Sequence, residues 1–300
     1  MVRRALLIGA AGFLGRHVRE AVAADGWHVR PTSRAGRDPV DLSPAGFTRL
    51  AALLADWRPH AVINCAGAVS GDPAELIAAN TTGPALLVRA MLAHAPWARL
   101  VHLGSAAEYG VCEPDTPITE AQLPRPVGVY GVSKLAGTQA VELGRAAGLD
   151  AVVLRVFNPI GRGLPPSSLP GRLVAEFAGA GERGEIKTGP LDAVRDFVDA
   201  RDVAGAVLAA ITAATVATPV LNVAGGRGVP VRALVDTLAD IAGFAGTIAE
   251  SSNGSARSAD VPWQEADIGA IARALDWRPR IGLRDCLSDL WQAEVWRAAR

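Results

Sequence analysis

Residues 5–15 read ALLIGAAGFLG, and this stretch decides the fold. Its first half, ALLIG, is a short apolar run of strand type, and GRHVREAVAADG (residues 15–26) is an amphipathic helix that ends in glycine. Between them Gly9, Gly12 and Gly15 form a GxxGxxG turn. Glycines there keep the turn tight, let backbone amides approach a pyrophosphate, and let the helix pack closely on the sheet. The helix N-terminus then favours the anion. Strand, glycine turn and helix together point to a bound dinucleotide.

The same alternation continues outward from this turn. HVRPTSR, HAVINCAG, ARLVHLGS and DAVVLRVFN read as strands, and RLAALLADW, ELIAANTTGPALLVRAMLAHA and YGVSKLAGTQAVELGRAAG read as helices between them. Continuous apolar strands separated by helices predict an α/β chain with a doubly wound parallel sheet covered on both faces. After Asn158 the rhythm changes to a Pro/Gly-rich stretch, NPIGRGLPPSSLPG, and then to short helices and turns. We read these as a smaller C-terminal lobe over the C-terminal ends of the strands, where doubly wound sheets bind ligands. DVAGAVLAAIT and LNVAG return to the first domain. The expected division is therefore 1–157 plus about 191–225, against 158–190 plus about 226–300.

Composition narrows the function classes. The 300 residues carry 30 basic and 30 acidic side chains, and a net charge of zero argues against a nucleic-acid partner. Cys65, Cys112 and Cys286 are widely spaced without CxxC pairing, which argues against a disulfide framework or zinc site and fits a reducing cytoplasm. His17, His28, His60, His94 and His102 show no ligand spacing, so no metal is expected. The apolar start reaches glycines within a few residues and reads as a strand, not a signal peptide. Ala204 to Gly226 lacks charge, but Pro219 and Asn222 interrupt it; a helix followed by a buried strand is the reading, and no membrane span is expected.

The second strand bears on which dinucleotide binds. It ends at Thr32, Ser33 and Arg34 without the carboxylate that would accept the ribose hydroxyl of NAD. A hydroxyl and a guanidinium suit the 2′-phosphate of NADP, so NADP(H) is the expected cofactor and NAD(H) the alternative. Asp41 is a candidate partner for the adenine amino group, and the Ala66-Gly67 turn is expected to pass the cofactor closely.

Tyr130 and Lys134 stand in YGVSK, four apart at a helix start and hence on one face. An ammonium near a phenol stabilises phenolate and makes tyrosine a usable acid and base near neutrality. Lys134 and Lys187 are the only lysines, and Tyr109 and Tyr130 the only tyrosines. A chain otherwise committed to arginine keeps one of its two lysines beside one of its two tyrosines. Ser105 closes the LVHLGS strand, where a hydroxyl can polarise a carbonyl.

GAAGFLG, NCAG, GSAAEYG, YGVSK, VFNPIG and RDFVDARDVA follow one another as they do in the extended short-chain dehydrogenases, the NDP-sugar epimerase/dehydratase family, and the chain resembles that family from about Leu6 to about Trp291. The resemblance implies a Rossmann domain with a small substrate lobe and makes Ser105, Tyr130 and Lys134 the catalytic trio. It implies further cofactor contacts from Phe13, Leu14, Leu42 and Asn80. It also implies that Asn158 and Arg195 meet a nucleotide-sugar diphosphate, the alternative for Arg195 being a salt bridge with Asp196 or Asp199.

The 4,6-dehydratases of this family place an acid and a base just before a hydrophobic-Tyr-Gly motif. Aligned on Tyr109-Gly110, those positions here are Ala106 and Ala107, with Glu108 shifted by one residue to the other side, so dehydration is not expected. The chain looks most like the GDP-4-keto-6-deoxy-mannose reductase branch, with Arg257 and Asp260 as further substrate contacts. The branch commonly reads FNHxGPG, and here FNPIGRG puts Pro159 and Arg162 at altered positions. The expectation is an NADPH-dependent 4-ketoreductase of a nucleotide-activated 4-keto-6-deoxy sugar. An NDP-sugar 4-epimerase holding NAD is the alternative, followed by a reductase of a non-nucleotide carbonyl compound and a non-catalytic NADP-binding regulator. The resemblance also implies that small and apolar positions (Ala79, Leu86, Ala90; Ala136, Ala140) on two long helices pair across a homodimer axis, with intramolecular packing as the alternative.

Overall fold

A computed structural model describes residues 2–32, 39–251 and 261–298. Ser33, Arg34, Arg257 and Asp260, all expected ligand contacts, lie outside the described residues.

Six parallel strands form the central sheet: β1 (Arg4–Ile8), β2 (His28–Thr32), β3 (Ala61–Asn64), β4 (Arg99–Ser105), β5 (Ala151–Val156) and β9 (Val220–Val223), in the order β2-β1-β3-β4-β5-β9. Strands β1, β3, β4, β5 and β9 are buried almost throughout, which is why their sequences run apolar instead of alternating. Pro31 is tolerated because β2 is an edge strand and its missing donor faces away from the ladder. Helices α1 (Phe13–Ala24), α7 (Ala200–Thr212) and α9 (Gly269–Leu275) cover one face. The other is covered by α2 (Phe47–Trp57), α4 (Gly83–His94) and α5 (Gly128–Ala146). This is the Rossmann-like, doubly wound arrangement expected. The order reverses between β1 and β3, so the turns after Ile8 and Asn64 flank a crevice suited to a ligand.

The expected long helix before β4 departs from regularity. A short α3 (Pro73–Ile77) runs through a π-helical turn at Ala78–Thr82 into α4. The whole stretch Pro73–His94 is long and apolar enough to cross a membrane by length and composition. Leu87, Val88, Ala90 and Met91 nevertheless bury into the subunit core. The uncharged stretch starting at Ala204 forms most of α7 and then β9, and both lie in the core.

Beyond Phe157 the chain is more regular than its loop-rich sequence predicts. β6 (Asn158–Ile160), β8 (Val194–Asp199) and β10 (Gly228–Pro230) form a three-stranded sheet in the order β10-β8-β6, and β7 (Glu185–Thr188) pairs with β11 (Thr247–Glu250). Helices α6 (Leu169–Ala180), α8 (Val231–Ala242) and α10 (Leu283–Ala298) enclose a separate core around Leu173, Phe177, Leu234, Leu238 and Leu287. These helices run 12 to 16 residues, not the short pieces expected. Pro159 sits on β6, an edge strand. The loop that follows is tied to α1: His17 Nε2 lies 2.9 Å from the Arg162 carbonyl, and Arg16 donates to the Gly163 carbonyl at 3.1 Å.

Candidate active site

The glycine turn is built by close approach. Gly9 has φ +79°, and a Cβ there would lie 2.6 Å from the Ala66 nitrogen; one on Gly15 would overlap the Gly9 carbonyl oxygen. The GxxGxxG pattern thus brings β1, α1 and the turn after β3 to backbone contact. Gly12 caps α1 in an extended conformation without a side-chain hydrogen bond. The first-turn amides of α1 therefore remain available to an anion. This cradle, whose backbone packing any side chain at Gly9 or Gly15 would break, fits a dinucleotide pyrophosphate. Phe13 and Leu14 open α1 and are half-buried. Asp41 is exposed, and Leu42 packs near Gly83, where a Cβ would stand 3.1 Å from it.

The turn after β3 is locked from beneath. Asn64 accepts from the Ala66 amide at 3.1 Å and pairs with His102 Nδ1 at 3.0 Å. His102 is fully buried, and burial, followed by the nearby Lys134 ammonium, pushes its pKa well below the ordinary value. A neutral imidazole accepting at Nδ1 carries its proton on Nε2. Asn80, within the π turn, grips the backbone of Ala68 twice: its Oδ1 accepts from the amide at 2.9 Å and its Nδ2 donates to the carbonyl at 2.8 Å. Nδ2 also reaches Ser133 Oγ at 3.1 Å, and Ser133 Oγ donates to the Tyr130 carbonyl at 2.8 Å. The extra residue of a π turn redirects Asn80 inward, and a regular helix would turn it elsewhere. Gly137 leaves room for this, since a Cβ there would overlap the Asn80 carbonyl.

Tyr130 and Lys134 lie one turn apart near the start of α5, Tyr130 half-buried and Lys134 buried. Lys134 Nζ donates to the Leu103 carbonyl at 2.6 Å and stands 4.0 Å from where a Gly67 Cβ would be. Burial lowers the Lys134 pKa, and the nearby Glu108 carboxylate opposes that. Ser105 ends β4 and caps a 3-10 turn, Ala106–Glu108. A Cβ on Gly131 would lie 2.6 Å from the Ala107 carbonyl, so that glycine lets the Tyr130 end of α5 touch the Ser105 turn. Ser105, Tyr130 and Lys134 are thereby gathered at the C-terminal end of β4, beside the turn after β3 that presses on Gly9.

Glu108 is fully buried; it pairs with Arg155 at 2.8 Å and accepts from the Ser105 amide at 2.7 Å. The second tyrosine, Tyr109, is also fully buried; it donates to Asn222 at 2.7 Å, and burial pushes its phenol up to about 12. Asn158 donates to the Asp196 carbonyl at 2.8 Å. Arg195, on β8, donates to its neighbour's carbonyl (Val194) at 2.8 Å. The two nearby carboxylates have contacts of their own. Asp196 accepts from the Gly225, Gly226 and Ala266 amides, and Asp199 pairs with Arg201 at 2.8 Å.

Asn64, His102, Ser133, Gly131 and Gly137 escaped the sequence reading. NCAG and YGVSK contain three of them, but only the fold reveals what each touches. Among the described residues no group of three His, Cys, Asp or Glu could hold a metal ion.

Residues 5–224 match the model of the NAD dependent epimerase/dehydratase family. The chain is 36% identical over 304 residues to dTDP-6-deoxy-L-talose 4-dehydrogenase (NAD(P)(+)) of Kitasatospora kifunensis, covering 97% of this chain and 95% of that protein. It is 31% identical to GDP-6-deoxy-D-mannose reductase of Pseudomonas aeruginosa, covering 98% and 99%. The solved structure of RMD from Pseudomonas aeruginosa complexed with NADPH superposes with a TM-score of 0.86 at 27% identity, covering 99% of each chain.

Proposed function

We propose that this chain, which belongs to the NAD dependent epimerase/dehydratase family and is thereby an NAD(P)-dependent oxidoreductase of the extended short-chain dehydrogenase type, reduces the 4-keto group of a nucleotide-activated 4-keto-6-deoxy sugar. The observation that carries this reading is the set of side chains beside Ser105. Ala106 and Ala107 have no acid or base to offer an elimination, and Glu108 is committed to Arg155. What remains is ketone and alcohol chemistry at Ser105, Tyr130 and Lys134.

NADP(H) is the cofactor we propose, with NAD(H) as alternative; it supplies the hydride when bound. The support is Ser33 and Arg34, which follow Thr32 in the sequence, and the NADPH held by the Pseudomonas neighbour. Gly9, Gly12, Phe13, Leu14 and Gly15 would hold the pyrophosphate end, with Asp41, Leu42, Ala66, Gly67 and Asn80 along the crevice. The hydroxyl of Ser105 donates to the substrate carbonyl oxygen. Tyr130 gives its phenolic proton to the nascent alkoxide, and the Lys134 ammonium stabilises the phenolate left behind. Asn158 and Arg195, with Arg257 and Asp260, are proposed to take the nucleotide diphosphate.

We also propose the division into a cofactor domain and a substrate lobe, and a homodimer through the outer face of α4 and α5. That face differs in detail from the expectation: Ala90 is fully buried against the sheet, whereas Ala85, Val132 and Leu143 are exposed. Helical periodicity alone did not tell which stripe the sheet would take. Cys65, Cys112 and Cys286 are free thiols, which fits the cytoplasm.

The test is incubation with NADPH and GDP- or dTDP-4-keto-6-deoxy sugars while nicotinamide absorbance is followed. The expected result is oxidation of NADPH with one of them. No oxidation with any, together with tightly bound NAD in the purified protein, would overturn the reductase and point to an epimerase.

A further inference from the structure

The buried pair Glu108–Arg155 sits directly behind Ser105, and its geometry exceeds what a structural ion pair needs. The two carboxylate oxygens do different work. Oε2 accepts from Arg155 Nε at 2.8 Å, and Oε1 accepts from the Ser105 main-chain amide at 2.7 Å. Ser105 Oγ in turn accepts from the Ala107 amide at 3.2 Å, completing a capping box over three residues. With a lone pair of Oγ occupied from the protein side, the hydroxyl hydrogen is left to point outward as a donor.

The neighbours hold the pair in one place. Gly104 makes the space: a Cβ there would come within 2.7 Å of Glu108 Oε1 and 2.9 Å of Val153 Cγ1. The Arg155 guanidinium stacks on the Tyr109 ring at 4.6 Å, and Tyr109 is anchored through its hydroxyl to Asn222 of β9. Arg155 is 4% exposed and Glu108 0%. Burying two charges is costly, and well-packed apolar replacements often serve stability as well or better. Stability is therefore a weak reason for a buried ion pair at this position, and the bond to Ser105 is a stronger one.

We propose that Glu108, held by Arg155, is a positioning residue that fixes Ser105 so that its hydroxyl donates to the carbonyl oxygen of the substrate. The proposal rests on the ketoreductase reading of the site. Neither Glu108 nor Arg155 touches the reacting atoms; both act through Ser105.

The experiment is a double-mutant cycle on the full chain, measuring kcat and KM for NADPH-dependent reduction of the active 4-keto-6-deoxy sugar. Glu108→Ala is expected to lower kcat about 100-fold, the usual scale for losing one preorganised donor to a developing oxyanion, with KM changed less than about threefold. In a Ser105→Ala background the same substitution is expected to lower kcat by less than about threefold, because the hydroxyl it orients is gone. Glu108→Gln keeps the size and one acceptor but turns an amide towards Arg155, and is expected to fall between the two; it carries the test if Glu108→Ala does not fold. Equal losses in both backgrounds, or an unchanged kcat with Ser105 present, would overturn the proposal while leaving the reductase intact. No NADPH oxidation by the unaltered protein with any such sugar would bring down the reductase reading, and the proposal with it.

Discussion

Lys134 Nζ donates to the main-chain oxygen of Leu103 at 2.6 Å from a position only 6% exposed. A lysine so placed holds its charge against burial, and this has opposite consequences for activity and for stability. Burial brings its pKa below the ordinary 10.5, and Glu108 counteracts part of that. The proposed mechanism needs the Lys134 ammonium to stabilise the Tyr130 phenolate, so kcat/KM should fall on the alkaline side as pH rises through the folded-state value. Glu108→Gln should move that limb to lower pH. Between the folded-state value and 10.5 the unfolded chain binds more protons, so the contribution of this group to stability rises with pH over the same window. A pH–rate profile beside thermal melts at matched pH checks both signs.

The two tyrosines separate chemistry from packing. Tyr130→Phe should lower kcat about 10²- to 10⁴-fold, the range for removing a positioned general acid. Tyr109→Phe removes the donor to buried Asn222 and should cost about 1–3 kcal/mol of stability. Steady-state kinetics and urea unfolding on both variants distinguish them.

At the glycine turn, Gly15→Ala would force a methyl group into the Gly9 carbonyl. Relief requires α1 to shift from β1, at a cost of about 1–3 kcal/mol typical of overpacking. Binding of NADPH, followed by fluorescence titration, should weaken together with the loss of stability.

Arg34→Ala should weaken NADPH binding by about 10- to 100-fold, the worth of one charged hydrogen bond, and leave NADH binding close to unchanged. Equal losses for the two dinucleotides would reject the assignment of Arg34 to the 2′-phosphate.

Leu143, 72% exposed on the outer face of α5, tests the proposed dimer. Light scattering should give a dimer for the unaltered chain and a monomer for Leu143→Glu, because a carboxylate would be buried without a partner.

Much of the site was legible because the chemistry depends on residue type and local spacing. Gly9, Gly12 and Gly15 specify a turn on one strand and one helix. Tyr130 and Lys134 share a face because four residues make about one helical turn. The remainder lay in contacts between distant segments. Glu108 reads as a displaced dehydratase acid until Arg155, 47 residues later, is seen to take its carboxylate. Asn80 is marked as a cofactor contact by the resemblance alone, and its grip on Ala68 and Ser133 comes into view only with the π turn that directs it there. The lobe beyond Phe157 is less legible because its proline- and glycine-rich start says little about α6, α8 and α10, whose helical faces acquire meaning only against one another.

The sequence by itself therefore determined the parallel sheet and the glycine turn between β1 and α1, and it set Tyr130 and Lys134 on one helical face, since periodicity and short-range stereochemistry carry that information along the chain. Tertiary structure alone decided which groups stand behind them: the carbonyl that receives Lys134, the ion pair that holds Ser105, and the buried face that claims Ala90. Those are choices of packing among residues far apart in sequence, and burial, which sets the strength of each polar contact, exists only once the chain has folded.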